Sequence, residues 1–176
     1  MKKISVLLAL VIVTIFSGCS SDDSSSISTG NTITLTMNGE SITATVTSAT
    51  LIKSEASNEK LLEINAENAQ YKFQINYFST YSADDAIPTG NYVYDDNNTE
   101  GYAYVSYKSN GNTYGMHFPE VGSLNITSIN AGNKKVTGTF SQTLTGGGDV
   151  DGEPTPSELV ITNGSFSNIS YTVITL

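Results

Sequence analysis

The chain has 176 residues, with 8 lysines, no arginine, 17 acidic residues, one histidine, one cysteine, no tryptophan and a formal charge of −9. That length holds one ordinary domain, and 38% hydrophobic residues padded with Thr, Ser and Asn suits a β-protein. The negative charge, with no basic run to offset it, argues against nucleic acid as a partner; a lone cysteine excludes an internal disulfide and a thiolate zinc cluster.

Lys2 and Lys3 precede an apolar run over residues 6–16, long enough for the hydrophobic region of an export signal and too short to span a bilayer. The run ends in Phe16-Ser17-Gly18-Cys19, which resembles a bacterial lipobox with Phe16 in place of the usual leucine. The resemblance implies a signal peptide over residues 1–18, a covalent diacylglycerol and acyl lipid on Cys19, and a membrane partner reached through that anchor. An ordinary signal peptide is the alternative, but it leaves an exported thiol unpaired. Once Lys2 and Lys3 are removed, 6 cations face 17 anions, so lipid rather than charge must hold the protein at an anionic surface. Ser20-Ser21-Asp22-Asp23 follows directly and looks like the Ser/Asp-rich lipoprotein export signal of Bacteroidetes, carried by Ser21, Asp22 and Asp23. It implies an outer-membrane protein displayed at the cell surface; a solvated acidic linker is the alternative. Residues 19–31 lack the apolar side chains to build a core and read as a lipidated flexible tether ahead of a single domain over residues 32–176.

From residue 32 onward the apolar pattern has period two. Ile33, Leu35 and Met37 are followed by Asn38-Gly39 and then Ile42, Ala44 and Val46, which predicts a two-residue hairpin pairing Met37 with Glu40. Further strands are expected at Leu62/Ile64/Ala66, Tyr71/Phe73/Ile75/Tyr77, Tyr114/Met116/Phe118, Leu124/Ile126, Val136/Phe140, Leu159/Ile161 and Ile169/Tyr171/Val173. Turn signals lie at Asn110-Gly111, Ala131-Gly132-Asn133 and Asn163-Gly164, and the stretch over residues 146–157 reads as an exposed loop. Phe166 is out of phase with Ile169, which predicts a bulge near Ser167 or Asn168. The pattern as a whole predicts an all-β fold, an antiparallel β-sandwich or flattened β-barrel of about ten strands.

The Asn-Gly hairpin, Pro88-Thr89-Gly90-Asn91-Tyr92, Val136-Thr137-Gly138-Thr139-Phe140-Ser141 and Ile161-Thr162-Asn163-Gly164-Ser165-Phe166 resemble strings that recur, in this order, in a family of small Bacteroidetes lipoproteins of uncharacterised all-β domain. The resemblance implies a fold and a location. It carries no active site.

His117 is the single imidazole, and alternation with Met116 and Phe118 predicts that it faces solvent. No nucleophile elbow accompanies it, and metal sites built on several His or Cys ligands are out of reach, so the chain reads as no enzyme, with no cofactor beyond its lipid. Carboxylates pair at Asp84-Asp85, Asp95-Asp96 and Glu63/Glu67; Asp149, Asp151 and Glu153 resemble the start of a calcium loop but lack a closing bidentate glutamate, which favours a solvated acidic loop over a metal site. Nine of ten tyrosines lie between residues 71 and 114. Tyr92 and Tyr94 precede a polar loop over residues 95–101, and Tyr102 and Tyr104 follow it. If the flanking strands pair with each other, the four rings form one ladder, either packed in the core or open to a ligand. The expected role is a noncatalytic binding or interaction module at the cell surface, accessory to glycan or nutrient capture, with a glycan or protein partner. The alternatives are a fimbrillin-like or adhesin subunit assembling through strand exchange over residues 170–176, and, less favoured, a hydrolase.

Overall fold

The computed structural model describes residues 31–110 and 112–176. The lipobox, Cys19 and the Ser21-Asp22-Asp23 run lie outside the described residues. In chain order the strands are β1 (Thr32–Met37), β2 (Glu40–Ser54), β3 (Glu59–Glu67), β4 (Tyr71–Thr80), β5 (Gly90–Asp95), β6 (Asn98–Thr99) and β7 (Gly101–Ser109), then β8 (Asn112–Asn130), β9 (Lys135–Gly146), β10 (Asp149–Val150), β11 (Glu153–Pro154), β12 (Glu158–Ser170) and β13 (Thr172–Thr175). No helix occurs among the described residues.

Eight of these strands close into an antiparallel barrel whose order around the wall, β1-β2-β3-β4-β7-β8-β9-β12 and back to β1, follows the chain. This is an up-and-down meander, and of the two architectures expected from the sequence the barrel is the one formed. β5 and β6 are an excursion between β4 and β7, β10 and β11 a hairpin between β9 and β12, and β13 pairs in parallel with the second half of β2. An eight-stranded barrel is just narrow enough for inward side chains to fill it. Ile33, Leu51, Leu62, Ile64, Phe73, Ile75, Leu124, Ile126 and Phe166 do so, each fully or almost fully buried.

The first hairpin has the predicted register, Met37 opposite Glu40 and Leu35 opposite Ile42, and Asn38 and Gly39 take the positive φ of 50° and 86° that its tight turn requires. Bulges then decide which residues face inward. Thr47 is skipped in the β2–β3 ladder, so the inward set changes from Ile42 and Ala44 to Ala49, Leu51 and Lys53. The bulge expected near Asn168 is present, with Asn168 at φ 54°, and it lets Phe166 and Ile169 both reach the core. Asn163-Gly164 is not the turn its composition suggests. It is a second bulge inside β12, where Gly164 passes so close to Phe140 that an added Cβ would lie 2.6 Å from the Phe140 carbonyl oxygen.

One end of the barrel is closed by the loop between β4 and β5, held by buried lysines. Lys60 is in phase with Leu62 and Ile64 and is 0% exposed. Its ammonium donates to Asp84 Oδ1 at 2.6 Å, the Asp84 carbonyl at 2.8 Å and the Ala86 carbonyl at 2.6 Å, using all three protons. Lys53 donates to Asp85 Oδ1 at 2.8 Å and to the Ala83 carbonyl at 2.7 Å, Lys134 reaches Asp85 Oδ2, and the Tyr171 hydroxyl donates to the Asp85 carbonyl at 2.6 Å. Ile87, two residues on, enters the core. Hydrogen bonds from Lys134 and Lys53 pull the Asp85 carboxyl down to about 2, and hydrogen bonds from Lys60 and Ser82 lower Asp84.

Because the fold lowers the pKa of Asp85, its stabilising contribution is complete above the ordinary aspartate value near ~3.9 and disappears as pH falls through about 2. Thermal melts of wild type and Asp85→Asn from pH 6 to pH 2 should therefore show a gap in Tm that narrows below about pH 4. A gap independent of pH would rule out the ionised carboxylate as its source.

Candidate functional site

The outer wall formed by β4, β7 and the first half of β8 carries a chain of aromatic rings. Tyr94 meets Tyr102 at a centroid distance of 5.6 Å, Tyr102 meets Tyr104 at 5.1 Å, and Tyr104 meets Phe118 at 5.7 Å, all near edge-to-face. Phe78 adds a side branch, 5.4 Å from Tyr102. The alternation that places Ala103 and Val105 fully inside the barrel turns Tyr102 and Tyr104 out. The rings cover the sheet closely enough that Asn76, an outward residue ringed by Gln74, Phe78, Glu63 and Tyr102, is only 2% exposed. Burial pushes the Tyr102 phenol up to about 12, with the neighbouring Tyr104 phenol adding to the effect. Beside the rings runs a polar strip in which Gln74 Nε2 donates to Glu63 Oε2 at 2.9 Å and Asn65 Nδ2 to Glu63 Oε1 at 2.7 Å.

The ladder expected from the sequence is corrected at one rung. β5 does not pair with β7; it pairs with the second half of β8, Tyr92 opposite Leu124 and Tyr94 opposite Gly122. Leu124 faces the core, so Tyr92 does too, edge-to-face on Tyr77 at 5.4 Å with its hydroxyl donating to the Pro88 carbonyl at 2.6 Å. Gly101 lies against Tyr92, where a Cβ would come within 2.6 Å of the Tyr92 Cβ. Phe118 takes the place that the sequence reading gave to Tyr92.

Phe118 and Met116 were expected inside and His117 outside, and the structure reverses all three. Gly115, at φ 49°, is an extra residue in the β7–β8 ladder and inverts the phase that follows. Met116 and Phe118 are consequently 47% and 52% exposed, while His117 is fully buried. The imidazole sits between two backbone carbonyl oxygens, Nε2 2.6 Å from that of Pro156 and Nδ1 3.2 Å from that of Gly115; a neutral ring has one N–H to donate, and the shorter contact ties the β11–β12 connection to the barrel. A glycine directly before an alternating apolar set was the signal available for this bulge.

The other carboxylate sites are accounted for locally. Asp84 and Asp85 hold the buried lysines, and Asp95 caps its own turn by accepting from the backbone amides of Asn97 and Asn98. Asp149, Asp151 and Glu153 belong to the β10–β11 hairpin, whose turn residues Asp151 and Gly152 have φ of 54° and 86°; Asp151 accepts from the Ser109 hydroxyl. No group of three or more His, Cys, Asp or Glu side chains placed to hold a metal occurs among the described residues.

A concavity of about 860 Å³ lies on the wall formed by β2, β1, β12, β9 and the second half of β8. One register row crosses it, from Thr43 through Thr34, Ser165 and Thr139 to Asn125, so hydroxyls and amides line it beside Leu35, Ile42 and Phe140, with no charged residue.

No family model, no curated protein and no solved structure matches this chain.

Truncation should separate core rings from surface rings. Tyr92→Ala should cost about 3–5 kcal/mol in urea denaturation, as for a buried aromatic. Tyr104→Ala, which removes a partly buried ring, should cost less than about 1.5 kcal/mol, the upper value for an aromatic pair. Equal losses would place Tyr104 in the load of the core.

Proposed function

We propose that this protein is a lipid-anchored lipoprotein of the outer membrane, displayed at the cell surface, whose aromatic wall binds saccharides without catalysis. The observation that carries the reading is the ladder Tyr94–Tyr102–Tyr104–Phe118, which offers ring faces for sugar stacking next to the amides of Gln74 and Asn65. A barrel filled by its own side chains takes a ligand most readily on the outside, where Phe118 is exposed and Tyr94, Tyr102 and Tyr104 are partly so. Tyrosine also has few torsions to freeze on binding. The placement of His117, fully buried with Nε2 2.6 Å from the Pro156 carbonyl oxygen, supports a structural rather than a catalytic use of the imidazole. The lipobox-like ending at Cys19 and the Ser/Asp run after it support the anchor and the surface location, and the resemblance to small Bacteroidetes lipoproteins agrees with both.

A subunit that assembles by strand exchange is a second reading, favoured by β13. This four-residue strand lies parallel on β2 and leaves Ile174 and Leu176 47% and 75% exposed. Concentration-dependent oligomers in size-exclusion chromatography, lost on deleting residues 172–176, would favour it over the monomeric binder.

Two experiments test the main reading. Palmitate labelling should be lost in Cys19→Ala, and protease added to intact cells should remove the wild-type protein; labelling retained in the variant, or full protection, would refute the anchor or the display respectively. On a glycan array, Tyr102→Ala and Tyr104→Ala should each weaken saccharide binding at least about tenfold, the usual weight of a central aromatic contact. An array with no hits for wild type would end the saccharide reading.

A further inference from the structure

Ser106 is a short side chain between two long ones. In the register row that crosses the aromatic wall, Lys72 lies on one side of it and Met116 on the other, with Tyr104 one step along the strand. The resulting recess has a volume of about 190 Å³ and is lined by Lys72, Gln74, Tyr104, Ser106, Thr113 and Met116. That is smaller than the ~300 Å³ at which pockets begin to hold a whole ligand, and it suits one substituent of a molecule lying along the rings.

Charge makes the recess unusual. In a chain of formal charge −9, no carboxylate is among its lining residues. Lys53, Lys60, Lys108 and Lys134 are each paired with a carboxylate, and Lys135 donates to the Asn168 carbonyl and the Ser170 hydroxyl. Glu67, directly opposite Lys72 in the β3–β4 ladder, gives its carboxylate to Lys108 at 3.0 Å. Among the described residues Lys72 is thus the lysine left without a partner, and it is exposed at the edge of the ladder.

We infer that this recess receives an anionic substituent, a carboxylate or sulfate, of a saccharide stacked on Tyr104 and Tyr102. The inference rests on the reading of the aromatic wall as a saccharide site. Lys72 Nζ supplies the charge, and the hydroxyls of Ser106 and Thr113 supply further donors. The protein's overall negative field repels densely charged polymers, so the ligand class that fits is a largely neutral glycan carrying isolated anionic groups.

The test is a glycan array spanning neutral, uronic-acid and sulfated saccharides, followed by calorimetry with an oligogalacturonide series graded by methyl esterification and with a sulfated galactan oligosaccharide. Wild type, Lys72→Gln, Lys72→Arg and Tyr104→Ala are compared. Wild type should prefer sparsely charged members over their neutral parents, and the uronic and sulfated arms identify which anion is read. Lys72→Gln should lose about two- to fivefold on the charged members, the scale of one exposed ion pair, and nothing on the neutral ones, while Lys72→Arg restores the preference. Neutral hits only, or an unchanged Lys72→Gln, would overturn the anion assignment and leave the aromatic site standing. Loss of no binding in Tyr104→Ala, or no hits at all, would overturn the saccharide site beneath it.

Discussion

The ammonium of Lys60, carried into the barrel's interior and met there by three oxygens of one loop, is the constraint on which the rest of the arrangement turns. A buried unpaired charge costs several kcal/mol after relaxation, so the loop that brings Asp84 and the Ala86 carbonyl cannot leave without stranding it. That loop closes the barrel end and threads Ile87 into the core. It then delivers the chain into β5 at the level where Tyr92 packs on Tyr77 and Tyr94 meets Tyr102. The clamp at the end of the barrel and the aromatic ladder on its wall are therefore parts of one placement. The partner charges are not symmetric. The lysines are buried while Asp84 and Asp85 keep part of their surface in water, which spares the carboxylates a full desolvation cost.

Closing eight strands into a meander assigns every inward position to the core and leaves the outside of the wall as the place where chemistry can differ. Two outer regions do differ. Among the described residues the β4–β7–β8 wall is aromatic and carries one unpartnered cation, whereas the β1–β12–β9 wall is concave, rich in hydroxyls and amides beside a few apolar side chains, and without charge. Stacking needs flat polarizable faces open to a ligand, which the first wall provides, whereas Phe140 in the second is 3% exposed. That difference, rather than the size of the concavity, decides which region is read as the site.

Bulges convert a regular alternation into this particular surface. Without the extra residue at Gly115, Met116 and Phe118 would enter the core and His117 would project from the wall. With it, Phe118 extends the ladder, Met116 borders the recess, and the imidazole pins the far connection through Pro156. The bulges at Thr47, Asn163-Gly164 and Asn168 act in the same way on the other strands, each exchanging which residues face inward.

The sequence by itself determined the all-β class, the register of the first hairpin, the inward faces of β3 and β4, the bulge near Asn168, and the concentration of tyrosine around one loop. These follow from local rules: period-two alternation, the φ tolerance of Asn-Gly, and a phase mismatch between Phe166 and Ile169. The inward lysines Lys53 and Lys60 and their partners 24 to 32 positions away were not read from the sequence, because the phase of Lys53 follows the bulge at Thr47 and the partners lie in a distant loop. Only the tertiary structure decided that the strands close into a barrel, that β5 joins β8 rather than β7, and that Phe118 instead of Tyr92 completes the ladder. Strand adjacency and the effect of a bulge on phase depend on which edge a strand finds, and a one-residue shift sends every later side chain to the opposite face. Such choices are made between segments far apart in the chain, where alternation along any one of them reads the same either way.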